Sequence, residues 1–164
     1  MPATSPDFGV VNLRPFVESD EDEVTSWFAD AGELRFFAGR RLRWPLDAEQ
    51  WRSIRDDETI SAWSAVVGDD PTPAGHAELV TESSSTVRLA RYAVAPNRRG
   101  LGLGRTILTQ MFVMAREQGF GTLRLAVHPD NTTAIVTYRT FGFVTEPDPD
   151  HEFVDRITMS VSLG

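Results

Sequence analysis

Twelve residues near the middle of the chain have the types and spacing to hold a phosphate: Val94-Ala95-Pro96-Asn97-Arg98-Arg99-Gly100-Leu101-Gly102-Leu103-Gly104-Arg105. The three glycines carry no Cβ, so backbone N–H groups can adopt unusual dihedrals and turn toward a ligand. An apolar, strand-like run enters this segment, and the helix-like run 106–115 leaves it. A helix start adds N–H groups without intrahelical acceptors and the positive end of the helix dipole. Arg98, Arg99 and Arg105 add three cations. A glycine loop of this kind also serves as a plain strand-to-helix connection with solvated arginines, and the spacing alone leaves both readings open.

Such a loop works only if a sheet and a helix hold it. Strands are read at residues 10–16, 60–67, 74–81, 87–94, 122–127, 143–144 and 156–163, separated by turn sequences such as Gly68-Asp69-Asp70-Pro71 and Glu82-Ser83-Ser84-Ser85. A first helix is capped by Ser19 or Asp20, with Glu21, Asp22 and Glu23 read as a solvated first turn. A second is capped by Asp47 and carries Trp51 and Ile54; a third follows the glycine loop, and a fourth spans 132–141. Residues 30–46 hold large aromatics without a clean period. This order gives a mixed sheet with helices packed on it. Two other glycine-loop classes fit poorly. A Walker loop needs Lys-Ser or Lys-Thr where Arg105-Thr106 stands. A dinucleotide fingerprint needs a parallel βαβ unit and an acidic residue about twenty positions on, where Leu123-Arg124-Leu125 stands.

At 164 residues the chain fits one domain, read as 9–164 behind a mobile Pro/Ser leader at 1–8. A net charge of −8 argues against nucleic acid as a partner; it could attract a cationic amine or simply aid solubility. The absence of cysteine excludes disulfides, thiol catalysis and Cys-ligated zinc, and no metal is expected. The N-terminus lacks the blocks of a signal peptide and no run is long enough to span a membrane, so a cytoplasmic protein without a membrane partner is expected.

Two motifs in order resemble the GCN5-related N-acetyltransferase (GNAT) superfamily: Arg99-x-x-Gly102-x-Gly104, and Asn131-x-x-Ala134-x-x-x-Tyr138-x-x-x-Gly142-Phe143. The resemblance covers nearly the whole chain and is specific between residues 87 and 143. It implies an α+β (mixed α/β) fold: a central mixed, mostly antiparallel sheet of six to seven strands with about four helices, splayed between the fourth and fifth strands. It implies acetyl-CoA as cosubstrate. The backbone of Gly100, Leu101, Gly102, Leu103, Gly104 and Arg105, with Arg99, would hold the pyrophosphate, and the strand edge at Tyr92, Ala93 and Val94 would pair with the pantetheine arm. Tyr138 stands where the family's general acid stands, ready to protonate the departing sulfur. Asn131 would contact the cofactor or cap its helix.

The general base departs from the family's patterns. No carboxylate stands in the fourth strand at Leu89-Ala90-Arg91-Tyr92, and Ala126 precedes Val127 in the fifth. His76 and Glu78 share one face of the third strand by period-two alternation, and His128 ends the fifth. Glu78 is the assigned base, with a neutral incoming amine as the option that needs none. The acceptor pocket implied by the family would use Phe36, Phe37, Arg40, Arg41 and Trp44 and the acidic stretch 146–152; the first group suits a carboxylate-bearing acceptor, the second a cationic one. The expected function is transfer of an acetyl group from acetyl-CoA to a primary amine, of a small molecule or a peptide or protein N-terminus, by direct attack. A non-catalytic acyl-CoA-binding or sensing module and another kind of nucleotide-binding protein are the alternatives, and a homodimer is left open.

Overall fold

The computed structural model describes residues 9–147 and 155–164; the leader at 1–8 and residues 148–152 of the acidic stretch lie outside the described residues. The chain runs β1 (Val11–Pro15), α1 (Glu21–Thr25), α2 (Ala31–Ala38), α3 (Ala48–Arg55), β2 (Ile60–Val67), β3 (Gly75–Thr81), β4 (Thr86–Val94), α4 (Leu103–Glu117), β5 (Thr122–Val127), α5 (Thr132–Thr140), β6 (Val144–Thr145) and β7 (Ile157–Ser162). The strands form one seven-stranded sheet in the order β1-β2-β3-β4-β5-β7-β6. Every neighbouring pair is antiparallel except β4 and β5, which run parallel.

That parallel pair is the feature that makes room for a ligand. Pairing extends from Thr86↔Thr122 to Leu89↔Leu125 and then stops, although β4 continues to Val94 and β5 to Val127. The reason lies on the other side of β4. The β3–β4 register shifts between His76↔Ala93 and Glu78↔Ala90, so Arg91 and Tyr92 together oppose Ala77. Arg91 takes φ 44°, a left-handed conformation rare for a residue with a side chain. A bulge of this kind bends its strand and steepens the twist, turning the end of β4 away from β5.

Side chains alternate across the sheet into two cores. Gly75, Ala77 and Leu79 of β3 face α4, whose Ile107, Leu108, Met111 and Ala115 form one fully buried stripe. A Cβ on Gly75 would lie 2.4 Å from Ile107 Cδ1, so the bare glycine lets α4 settle on the sheet. On the other face, the His76 ring packs among Phe16, Phe37 and Trp51, within a cluster built from Trp27, Phe28, Leu34 and Ile54 of the first helical region.

Two features of that region differ from the sequence expectation. Residues 31–38 form a helix, one more than expected, because Asp30 accepts from Glu33 N at 2.9 Å while Glu33 Oε2 accepts from Ala29 N at 2.7 Å. The acidic start of α1 is not solvated: Asp20 and Glu21 are buried. Glu21 pairs with Arg55 at 2.8 Å. Asp20 accepts from Arg14 at 2.7 and 2.8 Å, from Val17 N at 3.0 Å and from Ser64 Oγ at 2.9 Å.

Asp20 therefore ties β1 and β2 to the helices. Burial opposes its charge, but the bonds from Arg14, Val17 and Ser64 outweigh that and hold its carboxyl below the usual carboxylate range. A group depressed in the folded state stabilises above its unfolded pKa and loses that stabilisation as pH falls through the folded value. Asp20→Ala is expected to lower the unfolding free energy by about 2–4 kcal/mol in urea at pH 7. The gap to the wild type should narrow below about pH 4.

Candidate active site

The glycine loop connects β4 to α4. Gly100 and Gly102 adopt φ 78° and 85°, which only glycine takes without strain. Gly102 caps α4 without a side chain, so no cap competes for the helix's first N–H groups. Among the described residues, the amides of Gly100, Leu101, Gly102, Leu103, Gly104 and Arg105 donate to no protein acceptor. Six consecutive open donors at a helix start are an arrangement able to receive an anion such as a diphosphate. The Leu103 side chain is buried in the core and fixes the loop to the sheet.

The arginines divide their work. Arg99 Nε donates to the Val94 carbonyl at 3.1 Å, bracing the loop against the end of β4. Arg98 reaches Asp70 at 3.9 Å. Arg105 turns to α5 instead, donating to Thr140 Oγ1 at 2.9 Å with its guanidinium 4.9 Å from the Phe141 ring centroid. It offers the loop its amide while its side chain clamps α4 to α5. Gly104 has its own constraint: Tyr92 Oη donates to the Gly104 carbonyl, and a Cβ there would lie 2.8 Å from that oxygen. Burial pushes the Tyr92 phenol well above its usual value.

Two cavities open from the splay. One, of about 590 Å³, runs past Arg99 and along Val94, Ala93 and Tyr92. The other, of about 270 Å³, lies between β4, β5 and the end of α2. Phe36, Phe37, Tyr92, Asn131 and Tyr138 line both, so the cavities meet there. The structure thus brings Arg99, the strand edge, Asn131 and Tyr138 onto connected cavities, while residues 100–105 of the loop line neither.

Tyr138 projects from α5 with 8% exposure, its ring 5.7 Å from that of Phe143. Among the described residues its hydroxyl has no hydrogen-bond partner. Burial pushes its phenol up to about 12, against the opposing pull of Arg156. The proton is therefore held throughout the neutral range and is not committed to another acceptor. Asn131 caps α5, its side chain accepting from Ala134 N at 3.3 Å.

His76 and Glu78 share a face, as alternation requires, and Nε2 meets Oε2 at 2.7 Å. Both are fully buried, and neither lines either of these two cavities. The other Glu78 oxygen accepts from Arg91 Nε at 2.5 Å, so Glu78 reaches the cavity only through Arg91. His128 lies against the Phe36 ring at 4.7 Å and accepts from Asp130 N at 3.1 Å; like the exposed Trp44, it lines neither cavity. Sequence reasoning missed Arg91 and Arg156 as cavity residues. Two arginines, Arg88 and Arg91, inside the otherwise apolar run of β4 were a signal for Arg91. Arg156 had none, because only the fold brings β7 beside α2.

A sheet splayed above a row of open amides is an acetyltransferase frame, and the model of the acetyltransferase (GNAT) family matches residues 20–143; the chain belongs to that family. Streptothricin acetyltransferase of Streptomyces lavendulae is 42% identical over 89 residues, 53% of this chain and 47% of that protein. Mycothiol acetyltransferase of Rhodococcus erythropolis is 30% identical over 126 residues, 77% of this chain and 34% of that protein. The chain thus spans about a third to a half of the length of the curated relatives it matches. Spermidine N-acetyltransferase from Vibrio cholerae, solved with CoA and spermine, shares the fold at TM-score 0.76 and 17% identity over 93% of this chain and 95% of that one. An acetyltransferase of the GNAT family from Staphylococcus aureus Mu50 does so at 0.72 and 15% over 94% and 100%. Among the described residues, no helix is long and apolar enough to cross a membrane.

Asn131→Ala is expected to lower the unfolding free energy by about 1 kcal/mol, the usual cost of a lost helix cap. Asn131→Ser should recover most of that loss in the same urea titration.

Proposed function

We propose that this protein is a cytoplasmic N-acetyltransferase that moves an acetyl group from acetyl-CoA to a primary amine by direct attack. The observation that carries this is the meeting of two cavities at Tyr138, one running along the unpaired end of β4 to Arg99 at the start of the glycine loop and one reaching the arginines beside α2. The chain's groups fit the donor: six unpartnered N–H groups suit a diphosphate, and residues 90–94 of β4 have no β5 partner, leaving an edge for the amides of an extended pantetheine arm. When bound, acetyl-CoA supplies the thioester whose acyl carbon is transferred.

Tyr138 keeps a proton on Oη at the junction and gives it to the departing sulfur as the C–S bond breaks. The proton that the attacking nitrogen sheds on becoming an amide returns to the phenolate through solvent. Tyr92 is the less suitable acid, because its hydroxyl is already committed to the Gly104 carbonyl. Burial of the phenol raises its pKa and so opposes proton release; a thiolate expelled into the same dry space is raised too, which narrows the mismatch. Asn131 holds α5, and with it Tyr138, at the junction. Glu78 acts as a positioning residue for Arg91 rather than as the base, since both its oxygens are occupied and buried. The acceptor amine arrives neutral, so kcat/KM rises with pH up to the amine's own pKa.

Release of the CoA thiol from acetyl-CoA in the presence of a panel of amines tests the reading. Tyr138→Phe is expected to lower kcat about 100-fold while the Kd for acetyl-CoA stays within about twofold, since the hydroxyl is needed only as bonds break. Unchanged turnover in this variant, or failure of the wild type to bind acetyl-CoA at millimolar concentration, would remove the proposal. A pH profile that keeps one carboxylate-like inflection for amines of different pKa would restore a protein base.

A further inference from the structure

We propose that the arginine-lined cavity holds the acceptor by an anionic group, so that the acceptor class is a small amine carrying a carboxylate. This rests on the transferase reading above and specifies its second substrate. The whole chain carries a formal charge of −8, yet among the described residues this cavity is lined by Arg40, Arg41, Arg88, Arg91 and Arg156 and by no carboxylate. Like charges gathered in a small, partly dry space repel strongly unless anions answer them.

Three of the answering carboxylates stand behind the lining: Glu78 with Arg91 at 2.5 Å, Asp57 with Arg41 at 3.3 Å and Glu82 with Arg88 at 3.5 Å. At the mouth the balance fails. Asp155 pairs with Arg35 at 2.5 Å and reaches Arg40 only at 3.9 Å. Arg156 has no carboxylate within ion-pair distance among the described residues; it donates to the main-chain carbonyls of Phe36, at 3.2 Å, and Arg35. Burial and the neighbouring Arg35 charge pull its guanidinium below the usual arginine value, with Asp155 and Tyr138 opposing. A cation in that condition gains from an arriving carboxylate.

Arg91 supplies a second set of donors. Glu78 takes its Nε; its two terminal nitrogens make no protein hydrogen bond and are not sealed from solvent. They lie on a wall of the cavity, where the planar fork matches a carboxylate. Placement favours the same answer. Arg156 acts electrostatically on Tyr138, so an anion beside it stands near the junction, and an amine a few bonds away falls at the reacting end. Among the described residues, a polyamine entering here meets five guanidinium groups and no anion on the lining.

The test is calorimetric binding to the purified protein without acetyl-CoA, using matched pairs: L-phenylalanine against phenethylamine, and L-lysine against cadaverine. The carboxylated member is expected to bind at least about 30-fold more tightly. Arg156→Gln should weaken that affinity by a similar factor and leave acetyl-CoA binding unchanged. Arg40→Gln, at an exposed position with no role in the core, should weaken it less and guards against a folding artefact. Equal or tighter binding of the decarboxylated amines, binding of neither member at millimolar concentration, or indifference to both substitutions would overturn the inference. Acetyl-CoA titrated into the same protein reports separately: a failure there removes the transferase reading and leaves the paired comparison standing.

Discussion

The buried pair of Glu78 and Arg91 is the interaction on which the rest of this molecule depends. Two opposite charges at 2.5 Å, with the carboxylate fully buried and the guanidinium reaching only the cavity, are stable only together, because removal of either leaves the other uncompensated. The pair sits inside the β3–β4 bulge and holds Arg91 in its left-handed conformation. The bulge in turn bends β4 away from β5, and the open wedge between those strands is the site. His76 completes the arrangement from within an aromatic cage, closing off the second Glu78 oxygen. A local strain of about 1–3 kcal/mol is thus stored where the sheet must come apart.

The wedge opens in two directions. Toward the glycine loop lie the freed strand edge and a row of amides with no protein acceptor among the described residues. Toward α2 and β7, the wedge is walled by guanidinium groups. Tyr92 and Tyr138, the only two tyrosines in the chain, both stand where the two directions meet. Their environments separate them: Tyr92 is tied to the first turn of α4, and Tyr138 keeps an uncommitted proton. Burial raises both phenols, so neither ionises near neutrality.

Local patterns made a large share of this legible in advance. The glycines at Gly100 and Gly102 express a backbone requirement that no other residue meets without strain, and such a requirement is visible wherever it falls. The strands at 60–67 and 122–127 were readable to the residue because alternation and turn chemistry are short-range properties. Asp47 and Asn131 announced their helices for the same reason. The helix at 31–38 carried the same kind of signal, Asp30 with Glu33 three residues on, but the aromatic residues after it hid the period.

The sequence by itself determined most of the elements, the family and the glycine loop, since each is written in residues near one another along the chain. It could not decide which polar groups face a cavity and which face one another. Glu78 reads as an available carboxylate until the bulge sets Arg91 against it, and Asp20 reads as a solvated helix start until Arg14 and Ser64 close on it from β1 and β2. Arg156 is anonymous in the chain and acquires meaning only when β7 lands beside α2. Burial and charge pairing are properties of residues far apart in sequence, so only the tertiary structure could settle them.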